Sequence, residues 1–176
     1  ANGSLSSDTS NEGNIRKNMI EGDVIDAIVA MPSQLFYATG IPCCLWIIRR
    51  NKSENTKNKI LFIDAINLGH MVDRKVKELS EVDIQKITDT YHKWRKNEDY
   101  NDIAGFCKSS TKKEIEENNY ILTPGRYVGT EETKDDGIPF EEKMKTLTTE
   151  LKAQFDKSHE LENEISKNLE AIGYEI

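Results

Sequence analysis

The apolar positions of this chain form three short continuous runs in its first 65 residues. The runs are Val24–Met31 (VIDAIVAM), Cys43–Ile48 (CCLWII) and Ile60–Ala65 (ILFIDA). Each is too short for a buried helix, and such runs are typical of strands that are covered on both faces. The polar segment RRNKSENTKNK separates the last two runs, which predicts a long-looped antiparallel hairpin.

Helical patterns surround these strands. Ser80-Glu-Val-Asp83 resembles a capping box, and apolar residues at steps of three and four then predict an amphipathic helix. The predicted elements besides the strands are a loop over 1–11, helices over Glu12–Glu21, Glu81–Lys96 and Ser110 or Thr111 to about Asn118, and an extended piece over Asn119–Val128 broken by a turn at Pro124-Gly125. Helices with buried strands indicate an α/β fold.

The last segment, Ile138–Ile172, has the most regular period in the chain and predicts one long helix. Its apolar stripe is narrow, which suits a coiled coil or a helical bundle. Packing of this helix on its own domain remains the alternative to a partner helix. A partner is favoured because the sequence has no second long helix to cover the stripe. The residues of the predicted partner-binding stripe are Phe140, Met144, Leu147, Leu151, Phe155, Leu161, Ile165 and Leu169.

Composition narrows the class of protein. The chain has 176 residues, enough for one domain with an extension, and a net charge of −7. That acidity argues against a self-sufficient nucleic-acid binder, although it leaves room for a local basic face. No apolar run is long enough to span a membrane. The three cysteines and three widely separated histidines indicate neither disulfides nor a metal site, and fit a reducing cytoplasm.

Candidate chemistry is sparse. Asp64 ends an apolar strand, where α/β proteins often place functional groups, but a capping carboxylate is the commoner explanation. The cations of the polar turn, Arg49, Arg50, Lys52, Lys57 and Lys59, indicate a solvated loop first and a phosphate-contacting loop second. No nucleophile, acid–base pair or glycine-rich phosphate loop occurs, so no catalytic, cofactor-binding or metal-binding residue is assigned.

The connection after the first strand carries three large apolar or aromatic residues, Leu35, Phe36 and Tyr37. We expect these side chains to be covered, because exposure would lower solubility. Core filling is the commoner explanation. The alternative is a stacking wall, since enzymes that act on a nucleic-acid base extrude it and hold it between aromatic faces.

Several segments, taken in order, resemble the methylation (M) subunit of type I restriction-modification systems. They are EGNIRKNMIE, VIDAIVAMPSQLFYATGIPCCLWIIRRNK, ILFIDA, SEVDIQKITDTYHKW and YILTPGRYVG, with LFYATGIPCCLW and TPGRYVG the most distinctive. The resemblance covers roughly residues 1–130, and the terminal helix is consistent in kind. This family consists of S-adenosylmethionine-dependent adenine methyltransferases.

The resemblance implies where the pieces belong in the family fold, a class I S-adenosylmethionine-dependent methyltransferase sheet. Val24–Met31 would be the sixth strand, Cys43–Ile48 the seventh, antiparallel and between the fifth and sixth, and Ile60–Ala65 an extra edge strand. This distal portion of the sheet would be followed by an α-helical C-terminal region. The expected divisions are 1–79 for the methyltransferase part, 80–137 for a connecting region and 138–176 for the long terminal helix.

The resemblance also implies what is missing. The family's cofactor motif and its Asn-Pro-Pro-Phe catalytic motif do not occur in this sequence. The chain is therefore expected to be the C-terminal part of an M subunit, inactive alone and without its own cofactor, whereas the intact subunit would use S-adenosylmethionine.

Site residues and partners follow from the same resemblance. Phe36 is the first choice, and Tyr37 the second, for an aromatic that packs against an extruded adenine. The terminal helix would dock on the specificity (S) subunit, in a cytoplasmic complex with the restriction (R) subunit and double-stranded DNA; self-association of the chain is a further expectation.

Two other function classes compete with this one. The first is a non-enzymatic protein–protein interaction module with a coiled-coil-forming helix. The second is an unrelated α/β enzyme in which Asp64 acts as a catalytic acid.

Overall fold

The computed structural model describes residues 2–130 and 139–174. The chain divides into two compact units, Ala1–Glu132 and Thr133–Ile176. The first unit is an α/β sheet with helices on both faces, and the second contains a single helix. They are described separately.

The first unit begins with two 3-10 helices, Asn2–Leu5 and Thr9–Asn11, and has another at Pro124–Arg126. Its helices and strands, in chain order, are α1 (Glu12–Glu21), β1 (Ile25–Ala30), β2 (Cys44–Ile48), β3 (Lys59–Asp64), β4 (His70–Met71), β5 (Lys77–Glu78), α2 (Glu81–Lys96), β6 (Cys107–Thr111) and α3 (Lys112–Glu117). The second unit holds α4 (Phe140–Ala171).

The main sheet has the order β2-β1-β3-β6, and β4 and β5 form a separate two-stranded sheet. Strand β1 pairs antiparallel with β2 and parallel with β3, and β3 pairs antiparallel with β6. The predicted hairpin between Cys43–Ile48 and Ile60–Ala65 is therefore wrong, because β1 lies between these two strands. The antiparallel direction expected for Cys43–Ile48 beside the first strand is confirmed.

The polar connection between β2 and β3 explains this arrangement. The Asp23 carboxylate, just before β1, accepts hydrogen bonds from the Lys52 ammonium at 2.7 Å and from the Asn58 backbone N–H at 3.0 Å. The connection is thereby held around the start of β1. It delivers the chain to the far side of that strand, where a parallel pairing is the geometric result.

Ile60–Ala65 was also expected at the edge of the sheet, and this expectation is wrong. Strand β6 covers it on the side away from β1. Strand β6 has no apolar signal in the sequence, since its residues are CKSST. Only Cys107 and Ser110 of this strand are buried, so a short polar strand completes the sheet from within the region expected to be a connection.

Each face of the sheet carries its own apolar core. On one face, Ile28 and Phe62 pack with the N-terminal segment, α1, α3 and the 120–128 segment. On the other, Val29 and Leu61 pack with Trp94 of α2 and Phe106. Because both faces are covered, the strands of the parallel pair read as continuous apolar runs.

Helices α2 and α3 each start after a capping box, as their observed hydrogen bonds show. Helix α2 begins at Ser80, whose hydroxyl accepts from the Asp83 backbone N–H while the Asp83 carboxylate accepts from the Ser80 N–H. Thr111 and Glu114 form the same reciprocal pair at α3. In the second unit α4 runs for 32 residues, and none of its residues is buried. Ile138, the predicted start of this helix, lies outside the described residues.

Candidate functional site at the carboxyl ends of the parallel strands

Two connections leave the sheet at the carboxyl ends of its parallel strands. The loop 32–43 follows β1, and the segment 65–80 follows β3. They stay close to each other, because the Lys77 backbone N–H donates to the Gln34 carbonyl oxygen at 2.8 Å. Ligands of α/β proteins bind at such carboxyl ends, so this edge is the candidate functional site. We refer to it as the carboxyl edge.

The loop 32–43 presents two aromatic side chains to solvent. Phe36 and Thr39 close a tight turn through a backbone hydrogen bond of 3.3 Å, with Tyr37 at the turn's tip. Phe36 is 53% exposed and Tyr37 85% exposed. The expectation that this loop is covered is wrong for both residues. Leu35 alone packs against the core on the α2 side of the sheet.

The segment after β3 adds further exposed apolar side chains to the carboxyl edge. Ile66 lies two residues after the end of β3, Met71 lies on β4 and Val72 follows it, and all three are exposed. Ile41 of the loop 32–43 is exposed as well. Since exposed apolar residues collected on adjacent connections mark ligand or partner surfaces, this edge is suited to an apolar or aromatic ligand.

Asp64 at the end of β3 caps the loop that follows it. Its Oδ1 atom accepts a hydrogen bond from the Ile66 backbone N–H at 3.2 Å. The capping interpretation is confirmed by this bond. A Cβ atom added at Gly125 would lie 3.3 Å from Asp64 Oδ2, so the TPGRYVG segment passes close to this carboxylate.

The TPGRYVG segment belongs to the core. The Tyr127 ring stacks on Phe62 with centroids 3.9 Å apart and an interplanar angle of 3°. Its hydroxyl donates to the Ile121 carbonyl oxygen, and burial raises the pKa of Tyr127 to about 12. The most distinctive C-terminal motif of this unit therefore closes one face of the sheet.

Three of the five cations in the polar turn form ion pairs with carboxylates. Lys52 is paired with Asp23 at 2.7 Å, and Arg49 is paired with Asp26 of β1 at 3.1 Å. Lys57 pairs with the exposed Glu54. The interpretation as a phosphate-contacting loop is not supported for these three residues, because their charges are already met by carboxylates.

Asp26 is the buried group that sequence reasoning missed. It sits at an irregularity in the β1–β2 register, where Ile25 pairs with Ile48 and Ala27 with Ile47, and it is fully buried. One oxygen accepts from Arg49 and the other from the Tyr91 hydroxyl at 2.7 Å. Burial, followed by the bond to Asp26, raises the pKa of Tyr91. The sequence contains a signal for this site, because Asp26 is a single carboxylate within the apolar run Val24–Met31. A carboxylate that is buried with such a strand needs hydrogen-bond or ion-pair partners.

The predicted partner-binding stripe of α4 is solvent-facing within this chain. Phe140, Met144, Leu147, Leu151, Phe155, Leu161 and Ile165 are exposed, and Leu169 is half-buried. This exposed apolar stripe stays a predicted partner-binding surface.

Residues 2–130 and 139–174 contain neither a metal site nor a disulfide nor a membrane-spanning helix. They hold no group of His, Cys, Asp or Glu side chains arranged for a metal ion. None of the three cysteines, Cys43, Cys44 and Cys107, forms a disulfide. No helix in these ranges is both long and apolar enough to cross a membrane.

Comparison with known proteins places the chain in a family. The family model described as N-6 DNA Methylase matches residues 1–136. The HindI type I restriction enzyme methylase subunit of Haemophilus influenzae is 54% identical over 99% of this chain. The MjaIX methylase subunit of Methanocaldococcus jannaschii is 45% identical over 99% of it. The chain spans 39% and 31% of the lengths of these two relatives.

Solved structures agree in fold. A type I restriction-modification methyltransferase subunit from Streptococcus thermophilus superposes with a TM-score of 0.62 and 30% identity, over 72% of this chain and 25% of that one. The EcoKI M protein gives a TM-score of 0.53 at 12% identity, over 77% of this chain and 34% of that one, and so supports the fold alone. With its matching family model and its type I relatives, this chain is a member of the N-6 DNA methylase family.

Proposed function

We propose that this chain is part of the methylation subunit of a type I restriction-modification system, an S-adenosylmethionine-dependent adenine methyltransferase. In this proposal the carboxyl edge forms one wall of the pocket for an extruded adenine. The observation that carries it is the exposure of Phe36 and Tyr37 at the carboxyl end of β1, in a chain 54% identical to a type I methylase subunit.

The physical argument is that a flipped base needs an apolar or aromatic face to replace its lost stacking. Stacking of a base on an aromatic side chain contributes about 1–3 kcal/mol. The turn closed by Phe36 and Thr39 has Phe36 at its first position and the more exposed Tyr37 at its tip. Phe36 is therefore the first choice for the stacking residue and Tyr37 the second.

The residues of this chain do not fit the cofactor. S-adenosylmethionine would supply the methyl group, but the sequence has no Asn-Pro-Pro motif, and β1 is followed by the buried Met31 and Pro32 rather than by a glycine-rich turn. We infer that the chain alone neither binds the cofactor nor transfers a methyl group. Incubation of the chain with labelled cofactor and DNA tests this, and turnover above background would overturn it.

The base-pocket proposal is tested in the intact methylase complex. Phe36→Ala should lower kcat/KM for methyl transfer about 5- to 150-fold, the equivalent of losing one stacking contact of about 1–3 kcal/mol. Ile48→Ala is the matched control, because it removes an exposed apolar side chain that pairs with Ile25 at the opposite, amino end of β1. It should change kcat/KM less than about twofold.

A 2-aminopurine at the target position reports extrusion separately from chemistry. Its fluorescence in the complex should change with Phe36→Ala and not with Ile48→Ala, because only the first removes the stacking face. If neither Phe36→Ala nor Tyr37→Ala changes the rate or the fluorescence, the wall of the pocket lies elsewhere.

The exposed stripe of α4 supports the second part of the proposal, that this helix docks on the specificity subunit of a complex that also contains the restriction subunit and double-stranded DNA. A long helix with a narrow apolar stripe and no buried residue needs a partner helix. The same observation favours the alternative, in which the chain alone is an interaction module that self-associates.

Substitutions on opposite faces of α4 separate these partners. Leu151→Asp places a charge in the stripe, while Thr149→Asp places it on the opposite face two positions away. Leu151→Asp should abolish co-purification with the specificity subunit, and Thr149→Asp should preserve it. Loss of self-association alone, measured by sedimentation, would favour the interaction module; retention of both contacts would show that the stripe is not an interface.

A further inference from the structure

A second feature of the carboxyl edge is a cationic tip on the β4–β5 hairpin. The turn between β4 and β5 carries Arg74 and Lys75, and both side chains are exposed. Neither forms an ion pair with any residue in the described part of the chain. Arg95 and Lys96 of α2 are also exposed and without an ion pair in the described part of the chain, so the position of Arg74 and Lys75 at the carboxyl edge is what distinguishes them.

The turn is constructed so that these charges stay outward. The Asp73 carboxylate accepts hydrogen bonds from the backbone N–H groups of Lys75 at 2.6 Å and Val76 at 2.8 Å. The Val72 N–H donates to the Val76 carbonyl oxygen at 3.0 Å, and the Val76 side chain is buried. The neighbouring acid is thus used to fix the backbone, and it is not placed to neutralise the two cations.

The base of the hairpin is fixed against the loop that carries the aromatic side chains. Gly69 has a φ of +83°, and a Cβ atom there would lie 2.8 Å from the Glu78 carbonyl oxygen, so only glycine permits this approach. Beside Glu78, the Lys77 N–H donates to the Gln34 carbonyl oxygen, two residues before Phe36. The cationic tip and the exposed aromatics therefore belong to one connected surface.

The basic connection between β2 and β3 differs from the hairpin tip in its ion pairs. Between β2 and β3, Arg49 and Lys52 are bound by Asp26 and Asp23 and serve the fold. Arg74 and Lys75 of the hairpin form no such ion pair with the described residues. Arginine and lysine that are held outward beside an apolar site are suited to phosphate oxygens, which fix the position of a nucleic acid without reading its sequence.

We propose that Arg74 and Lys75 bind backbone phosphates of the duplex DNA next to the extruded base. This rests on the proposed function, because the DNA is that of the methyltransferase reaction. The contacts hold the backbone on one side of the pocket while Phe36 receives the base. Since phosphate contacts carry no sequence information, the two residues contribute equally to target and non-target DNA.

The experiment uses the intact methylase complex carrying Arg74→Ala and Lys75→Ala together, with fluorescence anisotropy of a labelled duplex over a series of salt concentrations. Each phosphate contact contributes about 0.9 to the slope of log K against log salt, so the slope should fall by about 1.8. Affinity should be about 60-fold weaker at roughly 0.1 M salt, with the difference closing towards 1 M.

Arg95→Ala with Lys96→Ala is the matched control, since it removes one exposed Arg and one exposed Lys from the last turn of α2. This turn lies beside the β2–β3 connection, because the Asn55 amide donates to the Arg95 carbonyl oxygen at 3.1 Å. It is thus near the amino end of β3, opposite the carboxyl edge. The control should leave the slope unchanged.

The outcomes separate this inference from the proposed function. If the unaltered complex neither binds nor methylates DNA, the proposed function fails. If it does both but the hairpin variant keeps the same slope, the hairpin inference alone is overturned. Loss of the specificity subunit from the hairpin variant, seen by size-exclusion chromatography, would also overturn it, because the tip would then be a protein contact.

Discussion

The central sheet and α4 use the same kind of side chain in opposite ways. Leu61, Phe62 and Ile63 of β3 are fully buried between two layers of helices. Leu147, Leu151 and Phe155 of α4 are equally large and equally regular in spacing, yet all three are exposed. A regular spacing of apolar residues predicts that one face of an element will be buried, but it does not show which residues bury it.

Phe62→Ala should cause the largest loss. Phe62 is fully buried and stacked on Tyr127, so removal of its ring should lower the free energy of unfolding by about 3–5 kcal/mol. Urea unfolding followed by tryptophan fluorescence measures this, because Trp46 and Trp94 both belong to the first unit. Leu151→Ala on α4 is the control and should change this transition by less than about 0.5 kcal/mol. Equal losses would break the contrast.

Asp26→Ala should cost about as much or slightly less, by a different mechanism. It removes the buried carboxylate that binds the half-buried Arg49 and Tyr91, and the loss of this acceptor should cost about 3 kcal/mol. Asp26→Asn keeps an acceptor oxygen of the same shape and should cost less. The same urea transition measures both. If Asp26→Asn were as damaging as Asp26→Ala, geometry and not the missing acceptor would explain the loss.

The stability of the sheet unit should fall at high pH. Burial raises the pKa of Tyr127 from 10 to about 12, so the folded state favours the protonated phenol. Stability from this group is complete below pH 10 and is lost as pH rises through about 12, by about 2–3 kcal/mol in total. Urea transitions across this range measure it. Tyr127→Phe should show a smaller fall, and an identical pH profile would exclude Tyr127 as the source.

Tyr37→Ser should give the smallest effect. Tyr37 is 85% exposed, so its loss should change the free energy of unfolding by less than about 0.5 kcal/mol. Leu35→Ser, two positions earlier and packed against the core, should cost more than 1 kcal/mol, roughly the transfer of a half-buried side chain. Equal effects in the urea transition would mean that the loop packs as one unit.

Local signals located most elements. Apolar runs placed β1, β2 and β3, the capping box at Ser80 placed α2, and a hydroxyl residue at 110 or 111 placed the start of α3. These signals work because strand burial and cap chemistry depend on neighbouring residues. Strand β6 had no such signal, since its polar residues CKSST gain their place only by pairing with β3.

The candidate site was found in part. The loop of Phe36 and Tyr37 was recognised from its composition, but its exposure was not, because burial depends on what else packs there. Asp26 and Arg49 were separated by β1 and the following loop in sequence, and only the fold brings their side chains to 3.1 Å. The cations of the β4–β5 tip were not distinguished from any other exposed pair until the hairpin was placed beside Gln34.

Local pattern and the order of motifs were enough to predict β1, β2, β3, helices α1 to α4, the amphipathic stripe of α4 and the family. Three features became visible only in the tertiary structure. Strand β1 separates β2 from β3. Arg49 and Lys52 of the basic turn form ion pairs with Asp26 and Asp23, and Phe36 faces solvent. The physical reason is the same in each case. Strand order, ion pairing and burial are set by contacts between residues distant in sequence, and no local pattern records those contacts.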